Sequence, residues 1–96
     1  MKVEYAKRAL TDLRNIADHH NRSDNPALGE RIEASIKTTV ARITRVPDGG
    51  REVIQRPGVR VVPLLRYRYL IFYRVAGDTI RILHIRHTSR RPWVSR

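Results

Sequence analysis

The sequence predicts an α+β fold: an N-terminal strand, a helical hairpin, then a three-stranded antiparallel sheet with the helices on one side. Three observations predict it. Apolar residues recur at spacings of three and four as far as Ile43, the repeat switches to two after Gly50, and Pro47-Asp48-Gly49-Gly50 punctuates the change. With 96 residues, positions 1–96 are read as a single domain with one modest core, a size that needs no metal or disulfide support.

Met1 to Tyr5 alternates and is read as a short first strand. Ala6, Ala9, Leu10, Leu13, Ile16 and Ala17 then place an amphipathic helix from about Lys7 to His20. The polar run from His19 to Asn25 breaks it, and Asn25-Pro26 is the signature of an N-cap followed by proline at the first helical position. Leu28, Ile32, Ile36, Val40 and Ile43 form one stripe on a long second helix. Beyond Gly50, Val59 to Leu65 is a strand in which Pro63 requires an edge or a bulge. Tyr67 to Val75 is apolar on both faces and therefore central. Ala76-Gly77-Asp78 is a hairpin turn, and Thr79 to His87 is the returning strand.

Composition excludes several function classes. The chain has no cysteine, so disulfides, thiolate metal sites and cysteine nucleophiles are absent. No apolar run reaches the roughly 20 residues of a membrane helix, and charges occupy the N-terminus where a signal peptide would be apolar. A cytoplasmic location without membrane contact is the default expectation. No Gly-rich phosphate loop, zinc-protease spacing or Gly-x-Ser-x-Gly elbow is present. Neither a metal nor a cofactor is expected. His19 and His20 are adjacent on a helix end, about 100° apart, and are read as surface or helix-dipole residues. His84 and His87 differ by three on a strand and face opposite sides of it.

The charge is more informative. Net charge is +11, and 17 of the 20 basic residues are arginine, whose planar fork matches phosphate and carboxylate. Residues 1–48 hold nine basic and seven acidic side chains, whereas residues 49–96 hold eleven and two. An acidic partner for the second half is implied. By parity, Arg66, Arg68 and Arg74 share one face of the central strand, Arg81 and His87 share one of the last strand, and Arg74 lies near Arg81 across the turn. An anion between them would relieve their repulsion; alternatively, the stems lie over strand backbone with their heads in water. Trp93, beside Arg90 and Arg91, either stacks on a partner or folds back on the core.

Arg56-Pro57-Gly58-Val59-Arg60, Arg66-Tyr67-Arg68-Tyr69-Leu70-Ile71-Phe72-Tyr73-Arg74-Val75, Gly77-Asp78 and Ile82-Leu83-His84-Ile85-Arg86-His87 together resemble the RelE/ParE toxin superfamily, closest to its ParE branch. The resemblance spans nearly the whole chain. It implies the toxin of a type II toxin–antitoxin pair, held inactive by an acidic, partly disordered ParD/RelB-like antitoxin. Operator DNA would be reached only through that antitoxin. ParE-type members poison DNA gyrase; RelE-type members cut messenger RNA on the ribosome. RelE-type toxins place a catalytic arginine just after the tyrosine of the central-strand motif, where this chain has Leu70, and lysines near Val61 and Pro63. The resemblance therefore favours a gyrase poison without catalytic residues, with a ribosome-dependent ribonuclease as the alternative. In that alternative His87 is the acid or base and Arg60, Arg81 or Arg90 hold the phosphate. His87 and Arg90 fit the family ending, while Arg91 stands where ParE members often have an acidic residue, followed by Pro92-Trp93. The residues expected to bind the target are Arg60, Arg68, Arg74, Arg81, Arg86, His87, Arg90, Arg91 and Trp93. Those expected to bind the antitoxin are Leu13, Ile16, Leu28, Ile32 and Ile36, along the hairpin groove, with an exposed strand edge beside them.

Overall fold

The computed structural model describes residues 1–22, 25–64 and 66–89. The chain runs β1 (Lys2–Tyr5), α1 (Lys7–Asn21), α2 (Pro26–Arg45), a 3-10 turn (Pro47–Gly49), β2 (Arg51–Glu52), β3 (Val59–Pro63), β4 (Tyr69–Ala76) and β5 (Thr79–His87). The three antiparallel strands read from the sequence are the centre of a five-stranded sheet, ordered β1-β5-β4-β3-β2. β1 adds to it in parallel with β5, from Lys2 opposite Thr79 to Tyr5 opposite Ile82. β2 has only two residues, Arg51 and Glu52, opposite Val61 and Arg60. A strand that short has no period to detect.

β4 is the central strand of the five, and its composition explains why it can be. Ile71 and Tyr73 are buried in the main core under the helices, while Phe72 is buried in a second cluster with Val53, Val59 and Val61 on the opposite face. Pro63 ends β3 opposite Leu70, beyond the two residues that β2 covers, so its missing N–H interrupts no continuing ladder. The first strand is a residue shorter than Met1 to Tyr5, and the central one begins at Tyr69 rather than Tyr67. Arg66 and Arg68 therefore lie in a bend before β4 and share no strand face with Arg74.

α2 buries Ile32, Ile36, Val40 and Ile43, and α1 contributes Ala9, with Leu13 and Ile16 half-buried beside it. Each large apolar side chain so buried stabilises by about 1.5–3 kcal/mol. The helices approach closely at one point: a Cβ on Gly29 of α2 would sit 2.7 Å from Cβ of His20 on α1. His20 is therefore buried at the crossing, 8% exposed, so of the two histidines read as surface or helix-dipole residues only His19 is exposed, while both lie in the last turn of α1. Pro26 is the first residue of α2, as expected, but Asn25 makes no side-chain cap.

The exit from α2 is fastened from the sheet. The fully buried Tyr73 hydroxyl accepts from the Gly50 N–H (3.0 Å) and donates to the Pro47 carbonyl (2.7 Å). Beside it, Arg60 Nη1 donates to the carbonyls of Asp48 (3.1 Å) and Gly50 (2.7 Å).

β5 contains a bulge. Phe72 pairs with His84 but Tyr73 pairs with Ile82, which leaves Leu83 as an extra residue. Its buried positions on the helix side accordingly run Ile80, Ile82, Ile85. The bulge also corrects the parity assigned to Arg81 and His87. Six residues apart, they would share a face of a regular strand; with Leu83 inserted they do not.

Candidate functional site

The face of the sheet turned away from the helices is where the strand arginines gather. Alternation assigns it Lys2 and Glu4 from β1, Arg81, His84 and Arg86 from β5, Leu70, Phe72 and Arg74 from β4, Val59, Val61 and Pro63 from β3, and Arg51 from β2. Arg74 and Arg81 are direct cross-strand partners, as the hairpin symmetry suggested. Their repulsion is partly offset on one side. Glu4, in the next strand over, accepts from Arg81 Nη1 at 3.3 Å. Both members of that pair are about half exposed, so the contact is worth at most about 1 kcal/mol. Arg74 has no ion-pair partner among the described residues.

Phe72 is the floor of this face. His84 stacks on it at 5.8 Å between centroids and 21° between planes, and the Arg86 guanidinium lies 5.8 Å from its ring centroid. Arg86 Nη1 also donates to the His87 carbonyl at 3.0 Å.

His84 is fixed from the helical layer, around the sheet's side. β1 stops at Tyr5, opposite Ile82, so the rest of β5 has no strand on that flank. α1 runs there instead. One carboxylate oxygen of Asp12, Oδ2, accepts both the Ile85 N–H (2.9 Å) and the His84 Nδ1–H (2.7 Å). A carboxylate has no proton to give, so Nδ1 is the protonated nitrogen of His84. Burial pushes the imidazolium pKa down; the Asp12 hydrogen bond and charge oppose this, and the Arg8 and Arg86 charges add to it. The net direction is downward.

The far end of the sheet holds a separate group. His87 pairs with Tyr69, whose ring meets it edge-on at 5.2 Å. His87 Nδ1 accepts the Ser89 N–H (3.1 Å) and lies 2.6 Å from Ser89 Oγ. The Arg68 carbonyl accepts the Thr88 N–H at 2.7 Å, tying the bend to the end of β5 while the Arg68 side chain is exposed.

Of the residues assigned to target binding, then, Arg74, Arg81 and Arg86 share one face, while Arg68 and His87 lie at the opposite end of the strands. Arg60 faces the helices, its guanidinium engaged with carbonyls of the α2 exit and, at 3.7 Å, with Glu52. Arg90, Arg91 and Trp93 are outside the described residues. Of the residues assigned to antitoxin binding, Leu13, Ile16 and Leu28 are half-buried, whereas Ile32 and Ile36 are 3% and 2% exposed, sealed in the core. Among the described residues no cluster of three or more His, Asp or Glu could hold a metal, and no helix is long and apolar enough to cross a membrane.

Glu4, Asp12 and the Leu83 bulge were not anticipated from the sequence. The spacing Ile80, Ile82, Ile85 carries a signal for the bulge, since a step of three interrupts the strand period. Asp12 carries none, because a single acid on the polar flank of a helix is unremarkable.

The sequence pattern of the ParE toxin of type II toxin–antitoxin systems, parDE, matches residues 3–92. No curated protein matches the chain. Among solved structures, the chromosomal ParDE toxin–antitoxin system of P. aeruginosa is similar with a TM-score of 0.77 at 28% identity, over 91% of this chain and 95% of that one. The intact E. coli RelBE toxin–antitoxin complex shares the fold at 0.64 and 14% identity, over 93% of this chain and 98% of that one. The isolated E. coli RelE toxin does so at 0.63 and 14%, over 97% and 88%. The chain belongs to the ParE toxin family of type II toxin–antitoxin systems.

Proposed function

We propose that the chain is a toxin that acts by binding DNA gyrase and blocking replication, and that an acidic antitoxin neutralises it. One observation carries the choice of binding over RNA cleavage. Metal-free cleavage needs a base for the 2′-hydroxyl and cations around the phosphate. The positions where RNA-cutting relatives are expected to hold those cations are Val61, Pro63 and Leu70, and Pro63 and Leu70 are direct partners on one apolar stretch of the open face. The remaining candidates among the described residues are scattered. His87 is roughly 20 Å along β5 from Arg81 at about 3.3 Å per residue, and Arg60 is engaged on the other face. A cationic face around an apolar floor, with no cluster of acid, base and phosphate ligands among the described residues, suits docking on a protein.

For neutralisation, the contact surface is the outer side of the hairpin, where Leu13, Ile16 and Leu28 are half-buried and Leu10 is 49% exposed. Ile32 and Ile36 back this surface from within. The flank of β1 away from β5 offers an edge for an added strand.

The deciding experiment measures supercoiling by purified gyrase beside an in vitro translation reaction. Inhibited supercoiling with intact messenger is the expected result. Cleaved messenger with active gyrase overturns the proposal.

A further inference from the structure

We infer that the open face binds the phosphate backbone of duplex DNA directly, through Arg74 and Arg81. This inference deepens the gyrase reading, since gyrase works on DNA, but its physical basis is separate. Two arginines directly opposite on one sheet face repel one another, and one phosphate between them satisfies both forks. Arg74 has no competing ion pair among the described residues. Arg81 has only the exposed contact to Glu4, which a phosphate can replace at small cost. Lys2 and Arg51 lie on the same face at its two edges, so Glu4 is the sole acidic residue among the six charged strand residues of that face, Lys2, Glu4, Arg51, Arg74, Arg81 and Arg86.

The same face argues for backbone and against base recognition. Sequence-tolerant binding of single strands relies on exposed aromatic platforms. Among the described strand residues Phe72 is the phenyl, phenol or indole side chain of this face, and it is 5% exposed beneath His84 and Arg86. Contacts limited to phosphates position a duplex without reading it. Such binding differs from operator recognition, which requires base contacts. Arginine in place of lysine at both positions supplies planar forks that can hold phosphate oxygens two at a time.

The test is fluorescence anisotropy with the whole chain, a labelled mixed-sequence duplex, and neither gyrase nor antitoxin. Binding should weaken linearly in log-log form between about 50 and 200 mM salt, each phosphate contact contributing about 0.9 to the slope. The double variant Arg74→Ala/Arg81→Ala removes the phosphate contact that the two side chains share and should make that slope shallower by about one. Arg74→Lys/Arg81→Lys should retain it. Arg31→Ala/Arg42→Ala, which removes the same charge from exposed positions of α2, should leave it unchanged. Four outcomes overturn the inference: no binding at the lowest salt, equal losses in the two alanine pairs, tighter binding of a single strand than of the duplex, or displacement of duplex by a lower concentration of polyglutamate of matched charge. Duplex binding by a chain that leaves supercoiling untouched keeps the phosphate site and discards the gyrase reading.

Discussion

Asp12 satisfies two donors with one oxygen, and both become orphans if it is removed. Asp12→Ala leaves the Ile85 N–H and the His84 Nδ1–H without that acceptor, at a cost of about 1–3 kcal/mol for each buried group so exposed. Urea denaturation reads the loss, and a midpoint unchanged from the wild type would show that water replaces the carboxylate. His84 makes the same contact pH-dependent. Its imidazole titrates near 6.5 when unfolded and lower when folded, so below that pH the unfolded chain holds more protons. The contribution of His84 is therefore complete above 6.5 and is lost as pH falls from there toward the folded value. His84→Gln can still donate to Asp12 but does not titrate. Subtracting its stability–pH curve from that of the wild type should give a difference that declines below pH 6.5 and is flat above it. A flat difference throughout would mean that Asp12 cancels the effect of burial.

At the scale of elements, side chains from the sheet hold the helical layer in place. Tyr73→Phe removes the hydroxyl that bridges Gly50 and Pro47, which costs about 1–3 kcal/mol and should speed amide exchange at Gly50 before it affects the centre of β4. Exchange accelerated equally in β4 would indicate global rather than local opening. Gly29→Ala tests the helix crossing. Alanine favours a helix by about 1 kcal/mol over glycine, but its Cβ meets that of His20 at 2.7 Å, and overpacking costs about 1–3 kcal/mol. A net loss on thermal melting is expected; a gain would show that α1 can shift away. Both helices were legible in the sequence because their stripes repeat over many turns, and the hairpin of β4 and β5 because two apolar, β-branched and aromatic runs flank Ala76-Gly77-Asp78. β2 was hidden by its two residues, and the parity of the last strand by a bulge that no single residue announces. Arg74 and Arg81 could be paired by counting out from the turn, whereas Glu4 and Asp12 could not be found, since they reach Arg81 and His84 across 77 and 72 positions of chain.

The whole molecule carries +11 on 96 residues, and its self-repulsion opposes compaction. The ion pairs found among the described strand residues, Glu4 with Arg81 and Glu52 with Arg60, are exposed or half-exposed and weak. Salt should therefore help more than it harms: raising NaCl from about 0.05 to 0.5 M, which shortens the screening length to a few ångströms, should raise the melting midpoint. A falling midpoint would give the surface pairs more weight than their exposure allows. The sheet order has a further consequence, for the timing of synthesis. β5 is the last described strand to be made, yet it fills the slot between β1, which is the first, and β4. Until Thr79 to His87 has left the ribosome, Val3 and Tyr5 have no strand to join, Asp12 has no donors to accept, and Arg74 has no neighbour across the hairpin. The arginine face is thus assembled only once β5, the last of the described strands, has been made and inserted between its two neighbours.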